Sequence, residues 1–481
     1  MFQRLRDTVH PTWHLTAACV GMVVGATTAF WWPHASDWYW YVAGMGVLAL
    51  CMWKHRRYFV IIAFGAGAMI GLWRGSVDRA VVETYTALFG QHIKVSGVIA
   101  EDVELNHFGQ TNIHLSELGT GNTALVGHVW VTTKGNVTLQ RGDLITVDGK
   151  LTPGFGSFAA SLNDARLDTV SRRSGGDPFL VVRDTVATNI RETISEPAAS
   201  LGSGYLLGQK NSLPSDLAEA LKIAGLTHIV VASGYNLTIL VRLGRRLFEK
   251  ISKYLAGMTG VALVLGFAGI AGLSPSMMRA GIVSLLALWA WYVGRTFHPF
   301  TLLVIAAAIT VMIDPSYAWG NIGWELSFAA FGGVMLVAPL LQAYFFGTKR
   351  PGTIRQIVGE SVAAQLMTAP IIGVLFGQFS VVAPLSNLLI LPFVPLAMLL
   401  TAVAGIGAWV PGIGSFVGYP AQALLDTMIW FIHYFAALPW AQVSGVISWW
   451  LVGVWYTVIA VGCWYMQRRT GYQLRKASVV E

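Results

Sequence analysis

The chain has 481 residues, of which 54% are hydrophobic and 12% charged, with 19 Trp and a mean hydropathy of +0.58; a soluble globular chain carries about 25% charge. So little charge cannot cover a string of soluble domains, and it also excludes disorder, collagen and a coiled coil. The net charge of +8 does not by itself imply a nucleic-acid partner, because Lys and Arg gather in the cytoplasmic loops of any polytopic membrane protein.

The first apolar stretch, 14–32, is longer than the core of a cleaved signal peptide. It ends in Phe30-Trp31-Trp32, an interfacial anchor, and so reads as a retained span. Stretches at 38–53 and 58–73 follow, completing an N-terminal three-span segment over 1–75. Arg4 and Arg6 precede the first stretch, and Lys54, His55, Arg56 and Arg57 divide the second from the third. This pattern puts the N-terminus in the cytoplasm and the chain outside after the third span. Cys19, Cys51 and Cys463 sit in or beside apolar stretches without a Cys-x-x-Cys, as small hydrophobes do.

Residues 76–180 change character to short alternating runs: 92–102, 110–118, 126–133, 143–151 and 165–171. Turn signals such as Asn106-His107-Phe108-Gly109 and Lys134-Gly135-Asn136 divide them. Five short strands suit a small extracytoplasmic β-barrel of OB type better than a sandwich of about seven. Over 181–222, Val182, Val186, Ile190 and Ile194 recur every four residues among charges. Ser212-Leu213-Pro214 is expected to cap and start a second helix. Both helices are expected to lie on the outer membrane surface or to line a vestibule.

The membrane domain spans 223–466, and 467–481 is a cytoplasmic tail. A crossing at 223–241 leads to the basic cluster Arg242, Arg245, Arg246, Lys250 and Lys253. Apolar stretches follow at 255–273, 277–293, 299–313, 324–345, 357–376, 380–409, 418–437 and 447–466. Single crossings throughout give about twelve spans with both termini cytoplasmic. Arg295, Lys349, Arg350, Arg355, Arg468 and Arg469 all then fall inside. The stretch 380–409 contains Pro384, Pro392 and Pro395 and is expected to break, as helices lining a cavity can. The fold class is thus a polytopic α-helical membrane protein with one small OB-like β domain.

Groups that hydrocarbon penalises carry the chemistry. Arg279, Asp314 and Glu325 share one expected depth, where an ion pair among them would be structural. Glu360, Gln365, Thr368, Asn387, Asn236 and Thr238 lie within apolar stretches, either as a polar lining or as hydrogen bonds between helices. His228 on its own reads as a packed histidine, and Ser233 lacks the strand-to-helix elbow of a serine nucleophile. Gly-x-Gly-x-x-Gly and Gly-Lys-Ser/Thr phosphate loops are absent from the sequence, and no His/Asp cluster has metal spacing. His10 and His14 are four apart, but Pro11 intervenes. The reading is therefore a non-enzyme without catalytic residues, cofactor or metal.

Several segments together resemble one family. Leu206-Leu207-Gly208 and GLTHIVVASGYNLTIL at 225–240, then SPSMMRA at 274–280, then Asp314-Pro315 with GWELSFAAFGG at 323–333, then AAQLMTAPIIGVLFGQFSVVAPLSNLLILP at 363–392 are similar, in order, to the motifs of the ComEC family. These are inner-membrane channels for DNA uptake in natural competence. The resemblance implies passage of single-stranded DNA across the cytoplasmic membrane. It also implies working partners: a separate DNA receptor, a cytoplasmic translocation motor and a separate nuclease. The matching positions are Gly225, His228, Ser233, Gly234, Pro275, Arg279, Asp314, Ser327, Gln365, Asn387 and Pro392, implied to belong to the channel core. Glu325 stands where the family commonly has Gln and Asn236 where it often has His, so the pore lining is expected to differ there. Many members end in a metallo-β-lactamase-like domain. This sequence ends soon after its last apolar stretch without His-x-His-x-Asp-His, so no nuclease of its own is expected.

The β domain tempers a DNA-binding expectation. Residues 76–180 hold eight Lys and Arg against eleven Asp and Glu, whereas phosphate binding wants a basic face. Phe108, Trp130 and Phe155 are candidates for base stacking, and weak binding or an assembly platform is the other expectation. Two further function classes remain open at this stage: a transporter of small molecules or envelope polymer, and a membrane scaffold.

Overall fold

A computed structural model describes residues 11–32, 59–105, 110–120, 123–135, 139–172, 177–209, 212–230, 234–272, 274–294, 298–347, 352–410, 414–445 and 448–472. The expected span at 38–53 lies outside them. The chain divides into two compact units, residues 1–177 with 301–325, and residues 178–300 with 326–481.

In the first unit, helices Pro11–Ala29 and Phe59–Thr86 pack along glycines. A Cβ on Gly21, Gly25, Gly67 or Gly71 would stand 2.1, 1.9, 1.9 or 2.0 Å from a carbonyl oxygen of the facing helix. Only glycine permits backbones this close, the small-residue packing used where lipid removes the hydrophobic drive. The helix Pro299–Ile313 joins them. Thr16 Oγ1 and Thr301 Oγ1 are 3.0 Å apart, and Arg74 donates to the terminal carbonyls of Met312 and Ile313 at 3.2 and 3.0 Å. A cation on a helix C-terminus satisfies orphan acceptors and the negative end of the dipole.

Phe59–Thr86 is longer than the expected third span. At 28 residues it runs about 42 Å, against a hydrocarbon thickness near 30 Å. The helix therefore continues through 76–86, where the β domain was expected to begin. Tyr85, fully buried, packs into the β-domain core and donates its hydroxyl to Val126 O at 2.8 Å.

The β domain has seven strands rather than five: β1 His92–Ile99, β2 Glu104–Leu105, β3 Gln110–Thr120, β4 Thr123–Leu125, β5 Val129–Lys134, β6 Leu144–Pro153 and β7 Ala160–Ser171. Two are short additions that flank β3. The sheet order is β1-β6-β7-β5-β3-β2; β4 pairs β3, and β1 pairs β3 as well as β6. All of these pairs are antiparallel except β5 with β7. Alternation works as expected: Val95, Ile113, Leu115, Val129, Val131, Ile145 and Val147 point inward and are fully buried.

The second unit is helical. Across the described residues of the chain, seven helices are long and apolar enough to cross a membrane: Phe59–Thr86, Lys253–Ala271, Pro275–Val293, Ile322–Phe346, Ile354–Leu375, Ala383–Gly407 and Trp449–Thr470. The protein is a polytopic helical membrane protein. Helices also occupy the expected stretches 14–32, 299–313 and 418–437, as Pro11–Ala29, Pro299–Ile313 and Gly414–Ala436, but they are not among the seven.

Three local expectations are corrected. The expected crossing at 223–241 does not end at 241: its described second part, Gly234–Glu249, is amphipathic and runs on through Arg242, Arg245 and Arg246, with Thr227–Val230 helical before it. Helices Pro178–Thr193 and Ala198–Leu207 bury their apolar faces against other helices of the second unit. Ile190, Ile194, Leu201 and Tyr205 are in the largest core cluster, and Asn189 donates to Gly405 O. Ser212 does not cap Ser215–Ile223. Its hydroxyl turns back to Gln209 O, and Pro214 takes the N-cap position.

The break expected in 380–409 is present as a 3-10 turn, Leu391–Phe393, between Ala383–Ile390 and Val394–Gly407. A second irregularity, the π-turn Gly333–Val337, precedes Pro339. Proline cannot donate to the helical ladder, so the preceding turn widens.

Candidate functional site

In the second unit the motif residues form two sets of contacts, one at Gly225 and one at Arg279. Ser215–Ile223 ends when Gly225 turns left-handed at φ +73°. Gly225 N donates to Lys222 O and Leu226 N to Leu221 O, the paired closure that satisfies the last carbonyls. A Cβ on Gly225 would lie 2.5 Å from Ala383 Cβ. Both strain and collision therefore demand glycine. Gly225→Ala is expected to destabilise the protein by about 1–3 kcal/mol, read as a lower melting temperature in detergent. Gly266→Ala, with open space around it, should leave that temperature unchanged or raise it.

The SPSMMRA segment sets its own helix. Ser274 Oγ accepts from Met277 N at 3.3 Å and Pro275 occupies the first turn of Pro275–Val293. This start places Arg279 one turn in. Its Nε donates to Ser327 Oγ at 2.7 Å, and its guanidinium lies 4.8 Å from the centre of the Phe331 ring. Ser327 and Phe331 are four apart on Ile322–Gly332, so one face of that helix grips the cation. A Cβ on Gly234 would come within 3.1 Å of Arg279 Nη2 and 2.8 Å of Ala280 Cβ. Gly234 thus lets its helix approach the arginine. Arg279 is half-buried at this contact, and His228 is exposed. His228 hydrogen-bonds to the backbone of Gly225.

Other motif residues tie backbone segments together. Asn236 is fully buried and donates from Nδ2 to Tyr205 O and Ile229 O, both at 3.1 Å. Its amide thus ties two backbone segments together. Gln365 donates to Ser380 O at 2.5 Å, and Ser386 to Ala224 O at 2.7 Å. Asn387 beside it is buried. Pro392 lies in the 3-10 turn and is exposed. Ser233 lies outside the described residues.

Asp314 and Glu325, expected in one ion pair with Arg279, lie in the first unit, and Arg279 lies in the second. In the first unit, Asp314 Oδ1 instead accepts from Ser316 N and Oγ at 3.0 and 2.6 Å, a local turn that an Asp-Pro-Ser sequence favours. Glu325, half-buried, sits in the first turn of its helix, where a carboxylate suits the dipole.

Trp130 and Phe155 are brought together with two partners the sequence did not single out. Trp130 lies 4.6 Å from His114, 5.3 Å from Phe155 and 5.2 Å from Phe158 between ring centres. His114 Nδ1 stands 3.0 Å from Glu101. Phe155 is 54% exposed, so the cluster presents an aromatic edge to water. Phe108 lies outside the described residues. Among the described residues, no group of three His, Cys, Asp or Glu could hold a metal ion.

Comparison with known proteins gives the same direction as the motifs. A family model described as Competence protein matches residues 205–469. The chain is 29% identical to Competence protein ComA of Neisseria gonorrhoeae over 245 residues, 48% of this chain and 34% of that protein. It is 24% identical to ComE operon protein 3 of Bacillus subtilis (strain 168) over 235 residues, 47% of this chain and 29% of that protein. The chain thus spans about a third of the length of these curated relatives. No solved structure matches it.

Proposed function

Because the chain belongs to the ComEC family of competence proteins, we propose that it forms the channel by which single-stranded DNA crosses the cytoplasmic membrane. The observation that carries this reading is Arg279. It is a half-buried cation among apolar helices, held by the Ser327 hydroxyl and the Phe331 ring, and it has no carboxylate partner among the described ion pairs of its own unit. A charge at that depth is costly unless it faces protein or water. A guanidinium held by neutral groups keeps its attraction for a passing phosphate. The DNA receptor and the translocation motor are in this reading supplied by other chains. Both termini are cytoplasmic and the β domain extracytoplasmic, in keeping with Arg242, Arg245, Arg246, Arg468 and Arg469 on the inner side.

We read the β domain as OB-like. The double pairing of β1 with β3 and β6 and the parallel β5–β7 pair support this. Its Trp130 and Phe155 cluster sits beside an acidic balance, so contact with a strand is by stacking, worth about 1–3 kcal/mol per base. Trp130→Ala is then expected to weaken binding of an oligo-dT strand to the nanodisc-embedded chain about tenfold while leaving the salt dependence unchanged. A changed salt slope would assign Trp130 to a phosphate site instead.

The test of the channel reading is deletion of the protein from a competent host, with an expected loss of transformation. A strain that still takes up and integrates DNA at the parental frequency would refute it. Saturable solute flux in liposomes would point to a transporter.

A further inference from the structure

Beyond Arg279, the Gly234–Glu249 and Pro275–Val293 helices carry a second polar set. Gly234, Thr238, Arg242 and Arg245 follow one another at steps of four, four and three, one face of a helix. Thr238, Val241, Arg242 and Arg245 of one helix and Ser284, Ala287 and Leu288 of the other line a recess of about 50 Å³. That is room for about four waters at roughly one probe sphere each, and so for the oxygens of a phosphate group.

The recess is built around Arg245. Its guanidinium lies 5.2 Å from the centre of the Trp291 ring, which also carries Lys253 at 5.5 Å. Its Nε is buried without a hydrogen-bond partner, and Glu249 stands 4.0 Å away. A buried donor left unmade is costly and marks a place where an acceptor belongs. Arg242 lies within electrostatic reach of Glu360. Two guanidinium forks with hydroxyls beside them match the charge and geometry of a phosphodiester. From Gly234, which touches Arg279, to Arg245 is about 16 Å along the helix axis, a span of a few nucleotides.

We propose that Thr238, Arg242, Arg245 and Ser284 form a second phosphodiester station, which receives the backbone of a strand already held at Arg279. The proposal rests on the channel reading above and adds a defined ligand site to it.

The test measures binding of fluorescent oligo-dT to the full chain in neutral phosphatidylcholine nanodiscs across a salt series. Each phosphate contact to a single strand contributes about 0.7 to the log–log salt slope. An R242Q/R245Q double variant that keeps the wild-type melting temperature is expected to lose about 1.4 of slope, R242K/R245K to keep it, and transformation by the Gln variant to fall at least tenfold. An unchanged slope in R242Q/R245Q overturns the station. If Arg279→Ala still lowers the slope in that case, the channel reading stands without it. A parallel series with phosphatidylglycerol separates a lipid headgroup from DNA. If the Gln variant loses bound phosphatidylglycerol but no strand slope, the recess is a lipid site and the proposal fails. If the deletion strain transforms normally, the channel reading itself fails.

Discussion

Arg279→Ala should lower transformation by about 10- to 100-fold, with the protein still present in the membrane at normal level. The estimate follows from the loss of a charge-assisted interaction worth about 1.5–3 kcal/mol, converted at 1.4 kcal/mol per factor of ten. Arg279→Lys should recover little. An ammonium keeps the charge but cannot donate along the Nε direction to Ser327 while lying flat on Phe331. Ser327→Ala removes one neutral partner and should cost less, roughly tenfold or under. The measurement is transformation frequency normalised to membrane protein on an immunoblot. Full activity in Arg279→Ala would leave the residue a structural one and favour a scaffold.

Gly71→Leu should cost the protein its assembled first unit. A Cβ at residue 71 would stand 2.0 Å from Met22 O and 2.8 Å from Ala26 N, rigid backbone atoms that cannot rotate away. Overpacking in a fitted core costs about 1–3 kcal/mol, more where backbone must move, and here two helices would have to separate along several turns. The expected result is a sharp drop in membrane-inserted protein and a melting temperature in detergent lowered by several degrees. Gly462→Ala, in a helix with open space at that position, is the matched control and should behave as the parent. Equal behaviour of the two variants would show that the glycine contact does not hold the helices.

Much of the architecture is legible without coordinates. Hydropathy placed the apolar stretches within a few residues of the helices, because burial in lipid is a local property of about twenty residues. The proline-marked break at 391–393 was readable for the same reason. The five long strands were readable from their alternation. The continuation of Phe59–Thr86 was hidden because charged residues such as Asp78 and Arg79 ended the apolar run without ending the helix. The fate of 181–207 was hidden because amphipathic periodicity names a buried face but not what covers it.

The candidate site divides the same way. The motifs located Gly225, Arg279, Ser327 and Gln365, while the capping of a helix by Ser274 emerged only in the structure. The sequence by itself determined the class of the protein, its membrane stretches and its family, since composition, period and motif order are properties of the chain read along its length. The tertiary structure alone decided that Asn236 is a buried tie, that Ser327 and Phe331 form the cradle of Arg279, and that glycines bring two helices into backbone contact. Each of these depends on a partner distant in sequence, and a residue's chemistry is settled by what the fold sets against it.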